Sequence, residues 1–379
     1  MKRIAVVHEW LTSHAGSEKV VEQILRVYPN ADLYSLVDFL PENLRGFIQH
    51  KSVNTSFIQN LPFAKRHFRS YLPLMPLAIE QFDLSAYDLI ISSHHAVAKG
   101  VLTRPDQLHI SYVHTPLRYG WELQHQYLRQ AGLTHGLKSA FTRAVLHYLR
   151  LWDVASAHRA DYYLANSHYV SRRIEKTYRR SAEVIYPPVD TQRFSQNCTN
   201  VPRENFYLVV SRFVPYKRVD LAIAAFNQLG LPLVVIGDGD SRKALQKTAA
   251  PNIRFLGKQP DKVVEDHMQR CKALIFPAEE DFGITPVEAQ AAGAPVVAYA
   301  KGGQAETVLH ERTGLLFSYQ TVESLVHSVK RLHSTVDQFE SATLKENAER
   351  FSTERFHRRF KNFVENAWMR FEKDRQQSW

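Results

Sequence analysis

Apolar runs of four to seven residues alternate along the chain with longer stretches in which apolar positions recur every three or four residues. The short runs suit strands buried on both faces and the longer stretches suit crossover helices, so the pattern predicts an α/β fold with parallel sheets. Strands are expected near residues 3–7, 32–36, 88–92, 109–113 and 161–165, with helices following Gly16, Trp121 and Leu137. A second series restarts at 206–210 and continues through 233–236, 253–256, 273–276, 295–299 and 315–317. Between the two series, Pro187 and Pro188 stiffen residues 186–194 and remove backbone donors, which marks a linker; polar residues 195–200 follow. From Thr353 to residue 379, Phe356, Phe360, Phe363, Ala367 and Phe371 repeat at helical spacing and predict a long terminal helix.

The expected organisation is therefore two Rossmann-like, doubly wound domains, residues 1–190 and 191–352. A cleft would lie between the carboxyl ends of their sheets, where α/β ligands bind. Lys2 and Arg3 give the start a basic flavour, but His8 and Glu9 cut the apolar run short, so no signal-peptide core forms. No window reaches the roughly 18 apolar residues of a membrane span. These features predict a soluble cytoplasmic chain. The two cysteines, Cys198 and Cys271, fit neither a disulfide framework nor a metal spacing and read as incidental.

The 48 Lys+Arg against 38 Asp+Glu leave a net charge of +10, which favours a polyanionic partner: nucleic acid, anionic lipid or a phosphorylated small molecule. The excess is spread, +6 over residues 1–190 and +4 over the rest, and no nucleic-acid-binding module is recognisable. Nucleic acid is thus not an expected partner. Histidine is uneven, with 13 of 18 before residue 191, so the first half holds most groups that titrate near neutrality.

The sharpest chemistry follows the expected strand 273–276. Glu280 stands in the loop and Glu288 lies seven intervening residues further on. Thr285-Pro286-Val287-Glu288 fits a helix-capping box, a purely structural use of Glu288. The cap does not account for Glu280, nor for Gly283, which lets a ligand approach the backbone. Amides at the start of the following helix would favour an anion. Arg212 and Lys217 stand just after the strand 206–210; a guanidinium fork and a point charge suit a diphosphate, although a solvated basic loop has the same composition. Gly237 and Gly239 form a Gly-x-Gly turn after a strand, a partial dinucleotide signal without its third glycine. In the first half, Gly16 opens a helix after the first strand, and His114 ends the strand 109–113. A lone histidine is more often structural than functional. Residues 167–170 read as an ordinary helix N-cap.

Together these segments resemble the retaining glycosyltransferases of family 4, which have the GT-B fold. The resemblance spans nearly the whole chain. Its most specific parts are the Glu280/Glu288 pair, the Arg212/Lys217 pair and Gly302-Gly303-Gln304-Ala305-Glu306 with Thr313-Gly314-Leu315. Asn166-Ser167 and residues 184–190 fit the family's domain junction. The resemblance implies that the terminal helix 353–379 crosses back to the first, acceptor-binding domain and that residues 191–352 bind the nucleotide sugar. It implies hexosyl transfer with retention, without a cofactor and without a metal. By the same resemblance Arg212 and Lys217 hold the diphosphate, Glu280 the sugar hydroxyls and Glu288 the ribose. The amides of Phe282, Gly283 and Ile284 lie nearby, and Lys258 and Val263 border the base. His114 matches an imidazole that faces the reacting sugar. Gly16 lies near the diphosphate; related chains often carry two glycines there, where this one has Ala15-Gly16.

The segments His8-Glu9-Trp10-Leu11 and His114-Thr115-Pro116-Leu117-Arg118-Tyr119-Gly120-Trp121 are similar to those of bacterial mannosyltransferases of O-antigen and exopolysaccharide assembly. This implies GDP-mannose as donor and a lipid-linked saccharide as acceptor on the inner face of the cytoplasmic membrane; GDP-rhamnose and UDP-sugar enzymes share the motifs. A nucleotide-sugar epimerase would share two Rossmann-like halves but not the Glu280/Glu288 and Arg212/Lys217 clusters. Residues 62–76 mix Lys65, Arg66 and Arg69 with Phe63, Phe68, Tyr71, Leu72, Leu74 and Met75, and residues 137–152 add Lys138, Arg143 and Arg150 to an apolar helix. Both suit an anionic membrane surface; both also suit packing on their own domain.

Overall fold

The structure, a computed structural model, describes residues 2–195 and 202–377. Cys198, the polar stretch 196–200 and the last two residues of the expected terminal helix lie outside the described residues. The chain forms two compact units, Met1–Ile185 with His357–Trp379, and Tyr186–Phe356.

The first unit is built on a seven-stranded parallel sheet. In chain order its strands are β1 (Ile4–His8), β2 (Asp32–Ser35), β3 (Val53–Thr55), β4 (Leu89–His94), β5 (Leu108–Val113), β6 (Tyr162–Ala165) and β7 (Glu183–Val184). Their spatial order is β3-β2-β1-β4-β5-β6-β7, so the winding reverses between β1 and β4. Every residue of β4 and β5 is buried, which explains their nearly continuous apolar sequences. Ser92, Ser93 and His94 at the end of β4 are buried polar exceptions, and such groups require partners. Ser167 caps the helix His168–Tyr178, accepting from the amide of Val170, as the sequence predicted.

The terminal helix spans Thr353–Gln377. Phe360, Val364, Ala367 and Trp368 form its buried stripe, while Phe363 and Phe371 are half-buried at its border. The stripe thus takes Val364 and Trp368 where the simple repeat pointed to Phe363 and Phe371. Each large side chain fully buried there contributes roughly 1.5–3 kcal/mol. The ring of Phe363 still meets Tyr162 of β6 edge-on at 5.9 Å, and His357 Nε2 lies 2.8 Å from Gln23 Oε1.

The second unit holds a six-stranded parallel sheet: β8 (Tyr207–Val210), β9 (Leu233–Ile236), β10 (Ile253–Gly257), β11 (Ala273–Phe276), β12 (Val296–Tyr299) and β13 (Gly314–Phe317). The order β10-β9-β8-β11-β12-β13 puts the reversal between β8 and β11. Separate apolar cores, around Phe226, Val235 and Ile275 and around Leu274, Phe276 and Val287, hold it together.

One expectation needs correction. Residues 186–194 are no free linker. Tyr186 packs against Phe351 and Phe282 at ring separations of 5.0 and 5.8 Å, Val189 N donates to Phe351 O, and Phe194 is buried. The boundary therefore falls after Ile185 and not at 190, because the aromatic residue before the prolines finds its partners in the second unit. Residues 62–76, for which both a membrane surface and packing on their own domain were open, divide between the two: Phe63, Lys65 and Arg66 are exposed. Phe68 and Met75 are buried in the core, and the Tyr71 hydroxyl donates to Pro62 O.

Candidate active site

In open parallel sheets, ligands bind outside the carboxyl ends of the strands where the winding reverses. In the second unit that place is the exit of β8 and β11. The loop leaving β8 carries Arg212, then a 3₁₀ turn, Pro215–Lys217, that ends on Lys217. The loop leaving β11 carries Glu279 and Glu280. Lys217 Nζ and Glu280 Oε1 form an ion pair, both side chains largely shielded from solvent. A cation and a carboxylate predicted for one donor thus meet side by side. Arg212 is exposed, and its guanidinium donates to the Tyr216 hydroxyl at 3.0 Å.

Gln304 holds this loop in place. Its side chain is fully buried, its amide donates to the carbonyls of Ala278 (2.6 Å) and Tyr299 (3.1 Å), and its Oε1 accepts from Glu280 N at 3.3 Å. Gly303 N donates to Glu280 O at 2.8 Å. A Cβ on Gly303 would stand 2.3 Å from Phe282 Cα, and one on Gly302, at φ +103, would stand 2.5 Å from Glu280 O. The Gly302-Gly303-Gln304 segment therefore supports Glu280 by close backbone approach, a positioning role that spacing alone did not reveal.

The helix after this loop begins at Ile284, not Thr285, with Gly283 as its N-cap residue at φ +82 and no side-chain cap. Glu288 is thus the fifth helical residue, and the expected capping box does not form. Proline, which lacks an N–H, sits harmlessly in the first turn. Half-buried Glu288 lies within electrostatic reach of Arg193, which is paired with Asp261 and Glu265. Phe282 and Gly283 are buried and Ile284 half-buried, at a helix start where amides have no intrahelical acceptor. Gly237 and Lys258 follow β9 and β10 on the same sheet edge; Lys258 is exposed, and Val263 is half-buried in the helix Asp261–Arg270. A Cβ on Gly237 would stand 1.8 Å from Ser211 O, so packing against the β8 loop by itself demands this glycine.

In the first unit the reversal point lies between β1 and β4, and a chain of buried polar groups runs along it. His114, just past β5, places Nε2 at 2.8 Å from Ser93 Oγ, which lies 3.2 Å from His8 Nδ1. His8 Nε2 is 3.8 Å from Glu18 Oε1 in the helix Gly16–Val27. Glu18 reaches back to accept from Ala15 N at 3.2 Å, fixing the loop before Gly16. Burial opposes ionisation of Glu18, but the neighbouring His8, the helix backbone and Ser17 outweigh it and hold the carboxyl at about 2. Burial pushes the His114 imidazole well below its ordinary value, with His95 and His8 adding to the effect, so it is neutral at physiological pH.

Glu9, directly after β1, is fully buried. Its Oε1 accepts from four successive amides, those of His95, Ala96, Val97 and Ala98, at 2.6–3.1 Å. His94 and His95 flank the same carboxylate, at 3.3 and 3.0 Å. Burial disfavours this charge, yet the histidines reverse the effect and keep Glu9 ionised. The turn after β4 is thereby wrapped around one carboxylate, and the His95 ring stands edge-on to Trp10 with 4.5 Å between centroids. Sequence reasoning assigned no role to His8, Glu9, Ser93 or His95. The signal available was a charged residue directly after a fully apolar strand, and paired serines and histidines ending another.

Comparison with known proteins agrees with both halves of this picture. A model of glycosyl transferases group 1 matches residues 190–351, and one of Glycosyltransferase Family 4 matches residues 16–193. An uncharacterized glycosyltransferase of Methanocaldococcus jannaschii is 30% identical over 198 residues, 51% of this chain and 55% of the relative. A GDP-mannose-dependent alpha-(1-6)-phosphatidylinositol monomannoside mannosyltransferase of Mycobacterium tuberculosis is 30% identical over 179 residues, 40% of this chain and 46% of the relative. The chain thus spans about half the length of these curated relatives. Among solved structures, Anabaena HepE in complex with UDP and glucose superposes with a TM-score of 0.68, covering 96% of this chain and 100% of that one, at 18% identity. That likeness is one of fold.

Proposed function

The chain belongs to the family 4 glycosyltransferases, with the doubly wound α/β units of the GT-B type, and on that premise we propose that it transfers a hexose with retention, most specifically mannose from GDP-mannose, onto a lipid-linked saccharide in bacterial surface polysaccharide assembly. The observation that carries this reading is the Lys217–Glu280 pair at the carboxyl ends of β8 and β11. In transfer, the bond from the sugar's anomeric carbon to the diphosphate breaks. An acceptor hydroxyl oxygen bonds that carbon, and its proton leaves with the nucleoside diphosphate. Negative charge grows on the departing diphosphate, and Lys217 with Arg212 answers it; donors aimed at developing charge contribute on the order of 3 kcal/mol each. Glu280, freed from Lys217 by the phosphate, accepts from sugar hydroxyls. Glu288 takes the ribose, Lys258 and Val263 border the base, and the Phe282, Gly283 and Ile284 amides, with Gly237, line the donor's sheet edge.

In the first unit, the family resemblance assigns Gly16, at a helix start suited to phosphate, to the diphosphate and the neutral imidazole of His114 to a sugar hydroxyl. By the same reading, the transfer uses neither a cofactor nor a metal. Mannose is supported by the name of the mycobacterial relative and by the His8–Leu11 and His114–Trp121 segments. The inner face of the cytoplasmic membrane is the place where such an acceptor meets a cytoplasmic enzyme. A panel of GDP- and UDP-sugars tests the donor: the true one raises the melting temperature by mass action and is then consumed only with acceptor present. Consumption without acceptor would identify an epimerase or hydrolase instead.

A further inference from the structure

We propose that the outward face of the helix Leu137–Ala155 docks on an anionic lipid bilayer. On a helix with 3.6 residues per turn, Leu137, Phe141, Ala144, Tyr148, Leu151 and Ala155 fall on one stripe. In a packed domain such a stripe faces the core. Here it faces outward: Leu137 is 91% exposed, Phe141 70%, Leu151 61% and Tyr148 45%, and Ala140, Ala144 and Ala155 are exposed with them.

The orientation is locked from the opposite side. Leu146 and Leu149 enter the core, and Asp153 is fully buried against Lys99 Nζ at 2.8 Å. Trp121 Nε1 donates to the same carboxylate at 2.8 Å, Trp152 Nε1 donates to Glu80 at 2.8 Å, and Arg150 reaches Gly120 O at 3.0 Å. Rotating the helix to hide Phe141 and Leu151 would break a buried ion pair, so the apolar face is a fixed feature of the surface. Monomeric proteins seldom leave a contiguous patch of this kind uncovered. Phe63 gives the same unit a second exposed apolar point, 79% accessible, with Lys65 and Arg66 beside it.

Charge selects the occupant. The stripe contains no charged side chain, while Lys138 flanks it on one side and Arg143 on the other, both exposed. Apolar groups between cations match acyl chains beneath anionic headgroups. The inference deepens the proposed function, resting on its lipid-linked acceptor for a purpose, but its test is independent of catalysis.

Purified full-length chain is sedimented with phosphatidylglycerol-containing vesicles and with pure phosphatidylcholine vesicles, at low and high salt. The wild type is expected to pellet with the anionic vesicles and to be released by salt. Phe141→Ser and Leu151→Ser, which change exposed side chains, should each weaken partitioning about tenfold or more. Lys138→Glu with Arg143→Glu should abolish the preference for anionic vesicles. All variants should retain wild-type turnover on a water-soluble acceptor. No pelleting of the wild type, or serine variants that pellet as it does, would overturn the docking proposal while leaving the transferase reading intact. A wild-type dimer made monomeric by Phe141→Ser would give the face to a second copy and also overturn it. Absent turnover on every soluble acceptor, with vesicle binding as expected, would count against the transferase reading alone.

Discussion

His8 and His114 are joined through a single hydroxyl, that of Ser93, which lies 3.2 Å from one imidazole and 2.8 Å from the other. A hydroxyl has one proton to give, so it donates to one ring and accepts from the other, and the two tautomers are set together. Glu18, beyond His8, biases the line from one end. Ser93→Ala removes the link without adding bulk. The protein should stay folded, while turnover falls about tenfold or more as His114 loses its fixed orientation. His114→Ala should lose at least as much. A Ser93→Ala enzyme with unchanged kcat and pH profile would separate His114 from this line.

For the donor side, Lys217→Ala and Arg212→Ala are expected to keep the fold and lose turnover. Removing one donor to developing phosphate charge costs on the order of 3 kcal/mol, or about a hundredfold in rate. Lys217→Ala also leaves Glu280 without its cation, so sugar binding should weaken with it. Steady-state kinetics checks this, and near-wild-type rates in both variants would remove the diphosphate assignment.

The two glutamates should separate by ligand. Glu280→Gln is expected to impair use of the whole donor while leaving affinity for the free nucleoside diphosphate close to wild type. Glu288→Gln should weaken that affinity, since it has no helix-capping duty to complicate the result. Calorimetric titration with nucleoside diphosphate decides between them; the opposite pattern would exchange their roles.

Stability should fall on mild acidification. His109 is buried, with Nε2 at 2.9 Å from Ser92 Oγ, and burial pushes its imidazole from the ordinary 6.5 down to about 4. The unfolded chain therefore binds a proton that the folded chain refuses between those values. The associated stability is complete above pH 6.5 and is lost as pH drops toward 4. The loss is on the order of 3 kcal/mol. His114, shifted in the same direction, adds to it. Urea unfolding at pH 7.5 and pH 5 measures the difference, and His109→Gln should reduce it; a wild type equally stable at both values would contradict the prediction.

Gln304 provides a test of the loop's support. Its buried amide satisfies the Ala278 and Tyr299 carbonyls and the Glu280 N–H, so Gln304→Ala strands several polar groups. Each unsatisfied group costs about 1–3 kcal/mol. Thermal unfolding should show a clear drop, and donor affinity should fall because Glu280 is no longer held.

The sequence pattern located the strands that are long and buried on both faces, because there the apolar run and the strand coincide. It passed over β3 and β7, whose three and two residues at the edges of the sheet leave no such run. It brought Lys217 and Glu280 to one place because each directly follows a recognisable strand. The Glu9 nest was illegible for a different reason: its four amides lie 86 to 89 residues away, and backbone donors carry no sequence signature. The helix start at Ile284 was misread because Thr285-Pro286 mimics a cap, whereas the N-cap residue is Gly283, two residues earlier.

The most direct measurement is the product of the purified chain incubated with GDP-mannose and a saccharide acceptor, examined by proton NMR for its new anomeric centre. Retention predicts an α-mannoside that accumulates in step with GDP, requires acceptor, and disappears in Lys217→Ala. A β-mannoside, or donor consumed equally without acceptor, would contradict retaining transfer at the Lys217–Glu280 site.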